Sequence, residues 1–388
     1  MPFTRLTLAE LFKSTNPFGV SISQSLIFNK NWLCLELQWP DDFQSDIKHP
    51  SNTPEQLDVF KNFSDEEIQK LRSSSNTFFM LSILWEGLSY KFYNFYKLLT
   101  LSAQKHNIPS HKIFFVTSNL LEEETYNTWQ LQHSPDYCIN VIAFDFFSGF
   151  TSRFMDTAFT IDDTAANIKN NPKFFLSLNR RKKHERVYTI YQILKSNFKD
   201  NTLISYDKLT PQDNPTNETL FNTLCASSPS ILDFSDFSTN WATGPKNAAA
   251  PVGLYKNSMI SLVGESLYDS YSNTSLFYSE KTFKPMLYNH PIIIFGQDGA
   301  NTALTKIGFK TYDRYFDLNF ENELNAKDRI NLQISRIEKL NNELLSMSTD
   351  QKIEWVLQDR ETLEHNKQML IDQSYNRIKL AKLVHSVG

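Results

Sequence analysis

The sequence predicts an α/β protein of two domains, each a parallel sheet with helices on both faces, followed by a helical C-terminal region. Three observations predict it. Short apolar, β-rich runs alternate with amphipathic helical stretches from about residue 75 to 145. The same alternation restarts near residue 172, and the last sixty residues carry a helical period with no strand pattern. A chain of 388 residues is long enough for two domains that each bury a core.

The elements follow in order. "TFFMLSILWEG" is a β-rich run closed by Glu86 and Gly87. "LSYKFYNFYKLLTLSAQKHN" reads as an amphipathic helix, with Tyr90, Phe92, Phe95, Leu98 and Leu99 at helical spacing. Ile113 to Val116 form a buried strand that ends in the polar turn Thr117-Ser118-Asn119, and "YCINVIAFDFF" holds the next strand. In the second half, Phe174 to Leu178 read as a strand, followed by a basic loop and a helix from about His184 to Phe198. "NTLISY" is a short strand, and residues 208 to 253, rich in Pro, Asn, Ser and Thr, read as mostly loop. "NSMISLVGES" is a strand, "SEKTFKPMLYN" a helix and "HPIIIFG" a strand. "ANTALTKIGFKTYDRYFD" then predicts a helix, a glycine turn and a short edge strand.

Beyond these lies a long helix with Ile330, Ile334, Ile337, Leu340 and Leu344 on one face. That stripe reads as core packing back on the domains, with self-association as the alternative. Ser348 and Gln351 have capping-box spacing for the next helix. The expected divisions are 1–165, 166–325 and 326–388.

Composition narrows the function. Hydrophobic content of 40% and charged content of 21% describe a globular protein. With 31 Phe and 16 Tyr but 10 Gly, glycine-rich dinucleotide loops are not expected. A formal net charge of −4 counts against a protein that grips duplex DNA chiefly through its phosphates. Cys34, Cys138 and Cys225 are widely spaced and form no CxxC pair, and the eight histidines lack HExxH or HxH spacing. Neither a disulfide framework nor a protein-built metal site is therefore expected. The N-terminus lacks the apolar stretch of a signal peptide and no run approaches ~18 apolar residues, so a cytoplasmic protein is expected.

Four constellations could carry chemistry. "LNRRKKHER" places Asn179, Arg180, Arg181, Lys182, Lys183 and Arg186 between a strand end and a helix start. Guanidinium forks and helix-start amides there suit phosphate, although most charge runs are merely solvated. "SEK" opens a helix with Glu280 and Lys281, a place where an ammonium can clasp a pyrophosphate and a carboxylate can meet sugar hydroxyls. "GES" puts Glu265 and Ser266 just after a strand, where they could line the same crevice. Glu86 ends the first strong strand and could act as general base on an acceptor hydroxyl, or simply sit in a first helical turn.

"FLSLNRRKKHERVYTIYQIL", "SEKTFKPMLYNHPIIIFG" and "LTKIGFKTYDRYFD", in this order, resemble the donor domain of GT-B glycosyltransferases, closest to the α-1,3-fucosyltransferase-like group. The resemblance covers about 172–330. It implies a GT-B-like fold, two Rossmann-like domains facing a cleft, and transfer of a sugar from a nucleotide donor, GDP- or UDP-linked, without metal or other cofactor. Carried over by position, it implies Arg186 or Arg180 on the diphosphate with Lys281 beside it, Glu280 on the ribose or donor sugar, and Glu265 near the sugar. Ser266 and Ser279 depart from that group's Asn and Thr, and the gap between the motifs is longer, so the sugar itself does not carry over. The resemblance further implies inversion with Glu86 as base and a glycan or polysaccharide precursor as acceptor. A phage-type enzyme acting on hydroxymethylated duplex DNA is the alternative of like chemistry. A non-catalytic interaction protein that keeps the fold is the alternative of another class.

Overall fold

A computed structural model describes residues 3–6, 30–37, 58–61, 63–84, 95–133, 136–170, 172–179, 184–206, 231–233, 252–268, 275–315, 318 and 325–387. The chain divides into two compact units, the first comprising 1–150, 271–277 and 373–388, the second 151–270 and 278–372.

Unit 1 is built on a five-stranded sheet of β1 (Phe3–Leu6), β2 (Asn31–Leu37), β3 (Thr77–Ile83), β4 (Ile113–Thr117) and β5 (Asn140–Ala143), in that order. β1 pairs antiparallel with β2, and the others run parallel. β3 and β4 are buried along their whole length, as unbroken apolar runs in a sheet covered on both faces require. Their cover comes from α1 (Asp65–Ser73), α2 (Phe95–Lys105) and α3 (Glu122–His133), which supply Leu71, Leu99, Tyr126 and Trp129 to the core. The short helix α4 (Phe146–Thr151) follows β5.

Unit 2 holds β6 (Lys173–Leu178), β7 (Thr202–Tyr206), β8 (Ile231–Asp233), β9 (Ser258–Gly264) and β10 (Ile292–Phe295), all parallel, in the order β10-β9-β6-β7-β8. The chain lays β7 and β8 on one side of β6, then returns to lay β9 and β10 on the other. The reversal falls between β6 and β9, and doubly wound sheets receive ligands in the crevice at the carboxyl ends of the strands beside such a point. Unit 1 has no such reversal among its described strands, since its strand order is the chain order. The helices of unit 2 are α5 (Ile161–Lys169), α6 (His184–Lys195), α7 (Val252–Lys256), α8 (Glu280–Leu287), α9 (Ala326–Ser346), α10 (Thr349–Leu357) and α11 (Arg360–Asp372).

The structure divides the chain differently from the sequence expectation at three places. Residues 151–165 belong to unit 2, because the Phe159 backbone is held there at both ends. Its N–H donates to Leu287 O at 2.9 Å, and its carbonyl accepts from Asn289 Nδ2 at 2.9 Å and Lys367 Nζ at 2.8 Å. The C-terminal helices are not one body. α9 to α11 stay with unit 2, whereas α12 (Ser374–Val387) joins unit 1, where Asn376 exchanges two hydrogen bonds with the Asp145 backbone at 2.9 and 2.8 Å. Segment 271–277 also joins unit 1, with the Leu276 N–H on Asn119 Oδ1 at 2.8 Å.

The stripe Ile330, Ile334, Ile337, Leu340 and Leu344 is buried within this chain. The capping box of α10 has both its bonds, Ser348 N to Gln351 Oε1 at 2.8 Å and Gln351 N to Ser348 Oγ at 3.3 Å. The helix predicted within "ANTALTKIGFKTYDRYFD" is a 3-10 helix, Thr302–Ile307, closed by Gly308 at φ 93. Among the described residues no edge strand follows it, since residues 309–315 run as irregular chain and turn. There the backbone is tied to a side chain, with Lys310 N donating to Asn366 Oδ1 at 2.7 Å.

Candidate functional site

The crevice of unit 2 is lined from three directions. Asn179 follows β6, Glu265 and Ser266 follow β9, and α8 begins beside them at Glu280. Strands β6 and β9 end close together because of Gly264, where a Cβ would stand 2.7 Å from Asn179 Oδ1 and 3.3 Å from the Tyr268 hydroxyl oxygen. Asn179 itself is buried and structural: its N–H donates to Ser205 O at 3.2 Å and its Nδ2 to Ser177 Oγ at 2.9 Å.

Arg186, in the first turn of α6, is 2% exposed. Its Nε and Nη2 fork onto Glu265 O at 3.1 and 2.9 Å, and Nη2 also donates to Ser266 Oγ at 3.3 Å. Nη1 has no hydrogen-bond partner among the described residues. Lys281 comes from α8. Its ammonium donates to Ser279 Oγ at 3.0 Å and to Ser266 Oγ at 3.5 Å, and lies 3.3 Å from the Glu280 carboxylate. Two cations from separate helices thus reach one hydroxyl. In a partly desolvated place like charges disfavour each other, and an anion between them relieves that cost.

Glu280 is buried. Burial pushes its carboxyl up, but Lys281 and Lys284 together outweigh burial and hold it down at about 2. Burial lowers the Lys284 ammonium, one turn further along α8, to about 8, with Glu280 opposing.

Glu265, which resemblance puts near the sugar, is 1% exposed and its carboxylate is occupied. Oε1 accepts from Ser279 N at 3.1 Å and Thr282 Oγ1 at 2.6 Å; Oε2 accepts from Ser279 Oγ at 2.7 Å and Ser266 N at 3.0 Å. Ser279 is the N-cap of α8, its hydroxyl accepting from Lys281 N at 3.4 Å.

Glu86 and Arg180, with Arg181, Lys182 and Lys183, lie outside the described residues. Of the other predicted residues, the structure gathers Asn179, Arg186, Glu265, Ser266, Glu280 and Lys281 at this one crevice. Sequence reasoning missed Arg329 of α9, a buried guanidinium whose Nη2 donates to Tyr268 O and Gly296 O, fixing the loops after β9 and β10. No local signal could have found it, since its partners lie 61 and 33 residues away. Ser279 and Thr282 were legible only as a cap and a helix position. Among the described residues no cluster of His, Cys, Asp and Glu could hold a metal ion, and no helix is long and apolar enough to cross a membrane.

No protein-family model and no curated protein matches the sequence. Among solved structures the chain is similar to an α,α-trehalose 6-phosphate synthase from Burkholderia multivorans, at 10% identity over 80% of this chain and 68% of that one, with a TM-score of 0.39. It is likewise similar to a glycosyltransferase from Rickettsia africae, at 11% identity over 80% of this chain and 71% of that one, with a TM-score of 0.41. Likeness at this level does not determine a family. The residues of the crevice have to speak for themselves.

Proposed function

We propose that unit 2 binds a nucleoside-diphosphate sugar and that the protein is a glycosyltransferase of GT-B type. One observation carries the reading: Arg186 and Lys281 converge on Ser266 Oγ at the crevice where the strand order reverses. A diphosphate oxygen accepts there from Arg186 Nη1 and the Lys281 ammonium, close to the positive end of α8. Glu280, ionised and beside Lys281, accepts from a ribose or sugar hydroxyl, the role that the fucosyltransferase-like motif implies.

In this reading an acceptor hydroxyl on a glycan or polysaccharide precursor attacks the anomeric carbon, and the bond from that carbon to the diphosphate oxygen breaks. Glu86 takes the hydroxyl proton, the configuration inverts, and the nucleoside diphosphate leaves with its new charge against the two cations. That charge compensation makes a divalent ion unnecessary.

The test is incubation with a mixture of UDP- and GDP-sugars, followed by mass spectrometry. One donor is expected to be slowly hydrolysed, which names nucleotide and sugar together. If none is consumed and neither UDP nor GDP raises the melting temperature, the reading is wrong and a non-catalytic protein is left.

A further inference from the structure

We infer that Glu265 is a positioning residue: its buried carboxylate latches the start of α8 to the end of β9 and thereby sets the distance between Lys281 and Arg186, without touching the ligand. The inference rests on the nucleotide reading of this crevice and changes the role that resemblance implies for Glu265.

Every polar atom of Glu265 is engaged in holding elements together. Its N–H donates to Phe295 O at 2.8 Å, tying it to β10, and its carbonyl takes the two donors of Arg186. Its carboxylate takes four donors, of which Ser279 N, Ser279 Oγ and Thr282 Oγ1 belong to the cap and first turn of α8. A carboxylate with four donors already in place has no lone pair directed to a sugar. The same residue therefore orients Arg186 through its main chain and Lys281 through its side chain. A small movement of the latch moves the two cations relative to each other, which is what a diphosphate senses.

The chemistry of the latch requires a carboxylate. Each oxygen accepts one main-chain N–H, Ser279 N on Oε1 and Ser266 N on Oε2. A Gln side chain, flipped either way, sets its own N–H₂ against one of these donors. Glu265→Gln is therefore disruptive despite its equal size. Thr282→Val removes one donor and leaves shape and every other bond in place, so it is the milder probe.

The experiment is calorimetric titration of UMP, GMP, UDP, GDP, UDP-glucose and GDP-fucose into the wild-type chain, Glu265→Gln and Thr282→Val, with melting temperatures recorded alongside. For the nucleotide that wild type prefers, the latch predicts that Glu265→Gln weakens the diphosphate and its sugar conjugate by the same factor, ~10-fold or more, and leaves the monophosphate within about 3-fold. Thr282→Val gives the same pattern, reduced to roughly 3- to 10-fold. If Glu265 instead contacts the sugar, Glu265→Gln weakens only the sugar conjugate, and the inference is overturned. Equal loss for monophosphate and diphosphate in both variants, in step with a fallen melting temperature, marks a merely structural residue and overturns it too. Should Glu265→Gln not fold, Thr282→Val decides, and wild-type affinity for the diphosphate in that variant is the contrary result. Wild type that binds none of the probes sinks the nucleotide reading itself, a failure distinct from the others.

Discussion

At Lys281 the ammonium is a quarter exposed and held by two serine hydroxyls and one carboxylate, so it is placed for a ligand more than for the fold. Lys281→Met is expected to weaken UDP or GDP binding ~10- to 100-fold, since a charge-assisted bond to an anion is worth about 1.5–3 kcal/mol, and also to lower the melting temperature, because buried Glu280 loses a paired cation. Titration calorimetry and thermal denaturation check both halves. Gly264 behaves in the opposite sense. An alanine there forces Asn179 aside, and Gly264→Ala should cost about 1–3 kcal/mol of stability, read from denaturant unfolding. Glu280 adds a pH term. Its carboxyl lies below the ordinary value of 4.5, so its stabilising contribution is complete above that pH and is lost as pH falls towards about 2. Glu280→Gln should therefore flatten acid unfolding between pH 4.5 and 2. An unchanged acid limb would place the charge pairing elsewhere.

Elements differ in how plainly the chain announces them. β6, β7, β9, β10 and α8 are legible because each is an apolar run or amphipathic turn bounded by a polar stop, and because their order alternates. The capping box at Ser348 is legible from two residues alone. β1 and β8 go unforeseen as strands of four and three residues at sheet edges, and β2, an internal strand that carries Trp32, Leu33, Leu35 and Leu37, goes unforeseen although its apolar run is legible. The start of α4 shows a further limit. Asp145 reads as one more polar residue after a strand, yet it is buried, its Oδ1 accepting from Ser148 N at 3.3 Å. Burial raises its carboxyl to about 7, with the Ser148 contacts pulling the other way. A raised carboxyl stabilises most while protonated, so unit 1 should lose stability as pH climbs from 3.8 through 7. Asp145→Asn, which keeps the cap, should remove that slope and be the more stable form at pH 8 by roughly 2 kcal/mol. Urea unfolding at pH 5 and pH 8 for both proteins checks this, and parallel losses would contradict it.

Across the molecule, two α/β units are foreseeable from the alternation of elements, but their boundaries are not. The chain passes from one unit to the other four times, and hydrogen bonds such as Asp145 with Asn376 join residues 231 apart, where no local pattern can signal a partner. The same limit applied to Glu265: the sequence places an acid after a strand, and only the fold turns it onto a helix start instead of a ligand. What the sequence did carry was the pairing of an arginine-led helix with a helix opening on Glu280 and Lys281, and both meet in unit 2. At this meeting point the proposed diphosphate sits. The most direct measurement is a structure determined with UDP or GDP bound. A diphosphate oxygen should accept from Arg186 Nη1 and Lys281 Nζ at ~2.7–2.9 Å, beside Ser266. Nucleotide bound elsewhere, or none bound at millimolar concentration, would contradict the account.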